Sequence, residues 1–236
     1  MSYLEISWEY RPSKTGIRDG VPPAWFSKDV WYLCPGLKEL MSGSDVSKYI
    51  CGIMPDYEIK LDWLELDPAA KLTDFIHVGG LLGYVVNERV RTLLKDFHLP
   101  PHTFYPVICR QFNRKTKETR EIHEYSWFYF NLEIGEKNVD FAESVFDDYQ
   151  HKNRYPDRDF SVASYQQYES HIARTPPAMK ARKLVFNPSF DKELDFWGTR
   201  FLSTANYISQ RLHDAFVRAG VSGYVVYPPR CELIFK

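Results

Sequence analysis

The chain of 236 residues is 44% hydrophobic, enough for a sizeable core, which excludes a disordered ground state and fits one large domain or two small ones. Its 30 basic and 31 acidic residues leave a formal charge of −1, so composition offers no electrostatic case for nucleic acid. Met1 to Tyr10 carry charges without a long apolar run, and no apolar stretch is long enough to cross a bilayer, which predicts a cytoplasmic protein with no membrane contact.

Residues 1–52 hold many turn formers, including Pro12, Gly16, Pro22, Pro23, Pro35 and Gly36, set around Trp8, Trp25 and Trp31. They read as an irregular, aromatic-rich N-terminal arm packed on a body formed by residues 53–236. From Tyr57 to Leu66 an approximate alternation of Ile59, Leu61, Trp63 or Leu64, and Leu66 predicts a half-buried strand. Gly79-Gly80 then separates this region from a unit that occurs twice.

In the first copy, Val85 to Pro106, Val85 and Val86 lead into the helix cap Asn87, and Val90, Leu93, Leu94 and Phe97 recur at i, i+3, i+4 and i+7 as one apolar face. The second copy, Tyr207 to Pro228, lies 122 positions on: Ile208 precedes the cap Ser209, and Leu212, Ala215, Phe216 and Ala219 take the same four places. Arg89 matches Arg211, both copies close on Tyr-Pro, and Gly220 supplies the helix stop that Pro100 and Pro101 impose in the first. Only three of these 22 aligned positions are identical, so the match reads as a recurring strand-helix-strand unit before it reads as a gene duplication.

Between the copies, the strand after Tyr105 continues towards Phe112, a polar tip spans Asn113 to Glu121, and a return strand runs through Tyr125, Trp127, Tyr129 and Asn131. Residues 150–159 read as a surface connection, Thr175-Pro176-Pro177 ends a helical stretch, and Leu184, Phe186, Phe190, Phe196 and Trp197 return the chain to apolar surroundings. The fold class expected is α+β, with a mixed or antiparallel sheet packed with helices and two similar strand-helix-strand units.

The chemistry-bearing residues are scattered. Cys34, Cys51, Cys109 and Cys231 show no Cys-x-x-Cys pair and read as free core thiols. There is no Gly-x-Ser-x-Gly elbow, no phosphate-cradling Gly-rich loop and no His-Glu-x-x-His, so neither a catalytic residue nor a metal or cofactor site is assigned. His123-Glu124 would point to opposite faces of a strand. Asp140, Glu143 and Asp147 stand at i, i+3 and i+7, which would gather three carboxylates on one face if the stretch is helical, opposite Phe141, Val145 and Phe146. Such a face reads first as solvated, and second as a surface for a basic partner.

In the same order along the chain, several segments resemble the immunity proteins of bacterial polymorphic toxin systems, the immunity protein 11 type and the related immunity protein 43 type. They are Tyr84-Val-Val-Asn-Glu-Arg-Val-Arg-Thr-Leu-Leu94, Phe104-Tyr-Pro-Val107, Trp127-Phe-Tyr-Phe-Asn-Leu132, Asp140 with Ser144, and Tyr207-Ile-Ser209 through Gly220-Val-Ser-Gly223. The likeness covers roughly Leu81 to Pro228; Asn87 stands where the family has Ser, and the arm has no counterpart. It implies a non-enzymatic cytoplasmic protein that binds a cognate protein toxin and occludes its active site. Asp140, Glu143, Asp147, Asp148 and Tyr149 are then the candidate interface, an acidic surface with an aromatic anchor suited to a basic cleft. Two other classes remain open: a hydrolase or metal-dependent enzyme using Asp140, Glu143 and a histidine gathered in space, and a nucleic-acid-binding module using the basic segments Arg110 to Arg120 and Lys180 to Lys183. Neither the toxin nor the oligomeric state is legible.

Overall fold

The computed structural model describes residues 2–18, 22–25, 53–54, 59, 61, 63–78, 81–148, 159–174, 179–201 and 205–236. In chain order its elements are β1 (Tyr3–Trp8), α1 (Pro12–Thr15), β2 (Ala24–Trp25), β3 (Leu64–Leu66), β4 (Phe75–Ile76), β5 (Tyr84–Asn87), α2 (Glu88–Leu94), β6 (His102–Phe112) and β7 (Thr119–Phe130). There follow β8 (Val145–Asp148), β9 (Asp159–Phe160), α3 (Tyr165–Arg174), β10 (Met179–Phe186), β11 (Phe196–Thr199), β12 (Ala205–Ser209), α4 (Gln210–Arg218), β13 (Tyr224–Tyr227) and β14 (Glu232–Phe235). The fold is α+β with mixed and antiparallel sheets. Among the described residues no helix is long and apolar enough to cross a membrane. Most of the expected N-terminal arm, residues 26–52, lies outside the described residues, whereas Tyr3–Trp8 forms a central strand.

Both recurring units form where local chemistry places them. The Asn87 side chain accepts from the Val90 amide at 3.1 Å, and the Ser209 hydroxyl accepts from the Leu212 amide at 3.1 Å, so each helix starts at its cap. The stripes Val90 and Leu94 in α2, and Leu212 and Phe216 in α4, are fully buried in one shared core. Gly220 is left-handed, with φ of 63°, and ends the second helix.

The sheets show that the repeat is larger than these two units. The strand order β2-β3-β6-β7-β5-β4 in one sheet is matched by β8-β10-β14 in a second and β13-β1-β12-β11 in a third. Registers agree at the same offset: Tyr84↔Phe128 and Phe104↔Phe128 in the first half correspond to Asn206↔Ile6 and Val226↔Ile6 in the second. The parallel pairing of β3 with β6 recurs as β10 with β14, and the hairpin β4-β5 recurs as β11-β12. One physical difference separates the halves. β6 runs straight through Pro106, whereas Pro228-Pro229 at the corresponding place divides the strand into β13 and β14, because two successive residues without an amide hydrogen interrupt the ladder.

Equivalent strands are also exchanged. β7, which opens the second half, lies between β5 and β6 of the first; β1, which opens the first half, lies between β12 and β13 of the second. Both are antiparallel to both neighbours. β7 is thus paired along both edges, and towards its end it is also packed on both faces, which explains the aromatic run there. Tyr125, Trp127 and Tyr129 pack into one core, and Phe128 and Phe130 into the core shared with α2, α4 and Ile6.

Close packing between strands leaves no room at the β5 entrance. Gly83 has φ of 80°, and a Cβ there would lie 2.3 Å from the Phe128 carbonyl oxygen, whereas one at Gly220 would meet nothing within 4 Å. Gly220→Ala is therefore expected to cost about 1 kcal/mol from backbone strain alone, and Gly83→Ala roughly 3 kcal/mol, because the β5–β7 ladder must also shift. Urea unfolding of both variants checks the order.

Candidate functional site

The segment carrying the predicted interface is not helical. Asp140 to Ser144 form a turn clipped to β10: the Asp140 amide donates to the Val185 carbonyl at 2.8 Å, and the Ser144 hydroxyl donates to the Asp140 carbonyl while accepting from the Val185 amide at 3.0 Å. The Asp140 carboxylate accepts from the Glu143 amide, the local side-chain bond that lets Asp compete with helix formation. The chain then enters β8, and the helical face expected of Asp140, Glu143 and Asp147 does not form. The apolar spacing of Phe141, Val145 and Phe146 fits a turn followed by a strand equally well, with Phe141 and Phe146 stacked 6.0 Å apart in the core.

Two of the acids still meet. Lys236 Nζ donates to Asp140 at 2.9 Å and to Glu143 at 2.8 Å, and this lysine bond holds the Asp140 carboxyl below its ordinary range. Asp147 takes a different partner, accepting from Arg182 at 3.1 Å and 3.3 Å. The side chain of Asp148, and Tyr149 as a whole, lie outside the described residues. What the surface offers is two acid–base sets: Lys236 after β14 with Asp140 and Glu143 of the turn before β8, and Arg182 of β10 with Asp147 of β8.

The remaining candidates are dispersed. His123 lies 3.5 Å from Glu121 in solvent, and the expected alternation of His123 and Glu124 is interrupted by a bulge in the β6–β7 ladder, which leaves both exposed between buried Ile122 and Tyr125. At the hairpin tip, Asn113 accepts from the Lys115 and Thr116 amides, Arg110 bonds Glu121 across the ladder and Arg120 bonds Gln111. Cys109 and Cys231 are free and buried; burial pushes both thiols up to about 12, so neither is a thiolate at neutral pH. Cys34 and Cys51 lie outside the described residues. Among the described residues no group of three or more His, Cys, Asp or Glu is placed to hold a metal ion.

The charged centres that sequence reasoning missed are buried carboxylates. Among the described residues they are Glu5, Glu9, Asp74 and Asp195, and each is paired with an arginine that is itself at least half open to solvent or nearly so: Arg230, Arg11, Arg89 and Arg211. Each guanidinium forms a lid between its carboxylate and water. Asp74 and Asp195 are the most informative, because they are equivalent. Asp74 bonds the cap residue Asn87 and Arg89 of its own half, and accepts from the Ser222 amide and hydroxyl of the other half at 2.7 and 2.6 Å. Asp195 accepts from Ser209 and Arg211 of its own half and from the His98 amide of the other half at 2.9 Å. Burial pushes both carboxyls up, but these arginine, hydroxyl and amide donors outweigh it and hold both below the ordinary value of 3.8.

The pairs work reciprocally. Arg89 also donates to the carbonyls of Ala219 and Gly220 at the end of α4, and Arg211 lies 5.4 Å over the ring of Phe97, the equivalent position after α2. A signal for these centres was present. Asp-Phe occurs at Asp74-Phe75 and again at Asp195-Phe196, each ahead of a cap residue followed two positions later by arginine. Comparison with known proteins adds nothing to this geometry. No family model matches the chain, and no curated protein matches it.

Proposed function

We propose that this chain is a non-enzymatic, cytoplasmic immunity protein that binds a cognate bacterial toxin and occludes its active site. The observation that carries the proposal is the use made of the buried charge. Each buried carboxylate is bound by an arginine of the same chain, and Glu5, Asp74 and Asp195 also accept from amides or hydroxyls distant in sequence, so these groups serve the fold and recognition falls to the surface. The ordered resemblance from Leu81 to Pro228 supports the same reading, because its strand-cap-helix segments are the ones around which the halves assemble. Arg110 and Arg120 are already bonded to Glu121 and Gln111, which weakens the nucleic-acid alternative. The Lys236–Asp140–Glu143 cluster and Asp147 offer a charged rim, and a stable inhibitor would bury roughly 1,600 Å² around such a rim.

Co-expression with a candidate bacterial toxin is expected to rescue host growth and yield a co-purified complex; neither rescue nor complex would return the question to enzyme screening. Asp140→Lys, Glu143→Lys and Asp147→Lys together are expected to weaken that complex at least tenfold, mostly through slower association. Unchanged affinity at low salt would remove the acidic interface and leave the binding reading to another face.

A further inference from the structure

An open trough of about 880 Å³ lies between the tip of the β6–β7 hairpin and the turn 67–70 that follows β3. Local bonds fix both of its walls. In the turn, the Asp67 side chain accepts from the Ala69 amide at 2.7 Å, and the Asp67 carbonyl accepts from the Ala70 amide. In the tip, the Asn113 side chain accepts from the Lys115 and Thr116 amides, and the Asn113 amide donates to the Glu118 carbonyl at 2.8 Å. Gln111 joins the two: its side-chain amide donates to the Asp67 and Ala70 carbonyls and accepts from Arg120 at 2.7 Å.

That last bond sets Arg120 apart. Arg89, Arg110, Arg182 and Arg211 are each held by a carboxylate, whereas Arg120 is held by a neutral amide. Its position is fixed, its charge is not compensated, and the other N–H groups of its exposed guanidinium face solvent, open to a further acceptor. Arg114 and Lys115 line the same trough, and among the described residues none of these three cations has a carboxylate partner. Glu118 is the one acid among the described lining residues. Beside the cations lie Pro68, Ala69 and Phe112, the last 39% exposed. Uncompensated cations next to an apolar strip complement a partner that carries carboxylates and an apolar side chain in a row.

We propose that this trough docks an extended acidic peptide segment of a partner protein, with one carboxylate on the Arg120 guanidinium and a neighbouring apolar side chain against Phe112 and Pro68. The fixed walls need no reordering on binding, and the planar fork of Arg120 suits a carboxylate. Nucleic acid fits less well, because Glu118 would face its phosphates and three cations gathered in one trough make no track along a backbone. The trough shares no residue with the acidic rim at Asp140, Glu143 and Asp147, so it stands or falls separately from the toxin-binding reading.

The test titrates the intact chain at low salt with three fluorescein-labelled probes, read by anisotropy: the peptide Glu-Glu-Leu-Glu-Glu, its uncharged counterpart Gln-Gln-Leu-Gln-Gln, and a thymidine oligonucleotide with the same number of negative charges. The acidic peptide is expected to saturate at one per chain and to bind roughly tenfold more tightly than either of the others. Arg120→Gln is expected to weaken the acidic peptide by about the same factor. Because Arg120 is exposed, this variant should keep the wild-type melting temperature. Arg218→Gln removes an equal charge from the exposed end of α4 and is expected to leave the affinity unchanged. Equal binding of the two peptides, no binding of either, or an equal loss in the Arg120 and Arg218 variants overturns the proposal. Tighter binding of the oligonucleotide overturns it in favour of a nucleic-acid partner.

Discussion

Deleting residues 1–9 is expected to abolish cooperative folding of the chain. β1 is enclosed by β12 on one edge and β13 on the other, so its loss leaves both with unpaired amides and carbonyls at the centre of a sheet. Tyr3 and Ile6 are buried, each contributing about 2 kcal/mol of apolar burial, and Glu5 holds Arg230, the arginine that follows β13. Together with the hydrogen bonds of two ladders, the loss is comparable to the roughly 5–15 kcal/mol that holds a domain together. The damage should spread, because Ile6 also packs in the core shared with α2 and β7. Circular dichroism melts of the truncated chain should show a broad, non-cooperative transition. An unchanged melting temperature would mean that β1 does not occupy the sheet centre.

The second large effect is expected at Asp195. Asp195→Asn keeps the shape of the side chain but removes the charge that faces Arg211, and it puts an amide donor among the donors Ser209, Arg211 and His98. The cost should be about 2–4 kcal/mol, since Asp195 is wholly buried and its partners remain. Asp74→Asn should cost somewhat less: Arg89 keeps its bonds to the Ala219 and Gly220 carbonyls when the carboxylate is neutralised. The pH dependence has a definite sign. Both carboxyls have folded pKa values below 3.8, so their stabilisation is complete above the unfolded value and is lost as pH falls through the folded one. The stability gap between wild type and either variant should therefore be constant from pH 7 to about 5 and begin to narrow as pH drops below about 4. Urea midpoints at pH 7, 5 and 3 measure this; a gap that does not narrow between pH 5 and pH 3 would assign the effect to packing and not to the carboxylate charge.

The acidic segment shows how a periodic pattern misleads. Asp140, Glu143 and Asp147 have helical spacing, but Asp140 and Ser144 bind nearby and distant backbone groups, and Val185 is the partner that turns these bonds into a turn against β10. Nothing within ten residues of Asp140 announces Val185. The buried carboxylates were hidden for a similar reason. An aspartate before a short strand reads as solvated, and its burial depends on Ser222 or His98 arriving from the opposite half.

Local chemistry in the sequence determined both helix caps, the Gly220 stop and the β6–β7 hairpin, because caps and turn residues act over a few positions and need no distant partner; the first helix instead ends at Leu94, ahead of Phe97 and of the Pro100-Pro101 pair expected to stop it. Tertiary structure alone decided which sheet each central strand joins. β1 and β7 have suitable partners in both halves, and the exchange is settled by burying both faces of each strand in a core that the two halves build together.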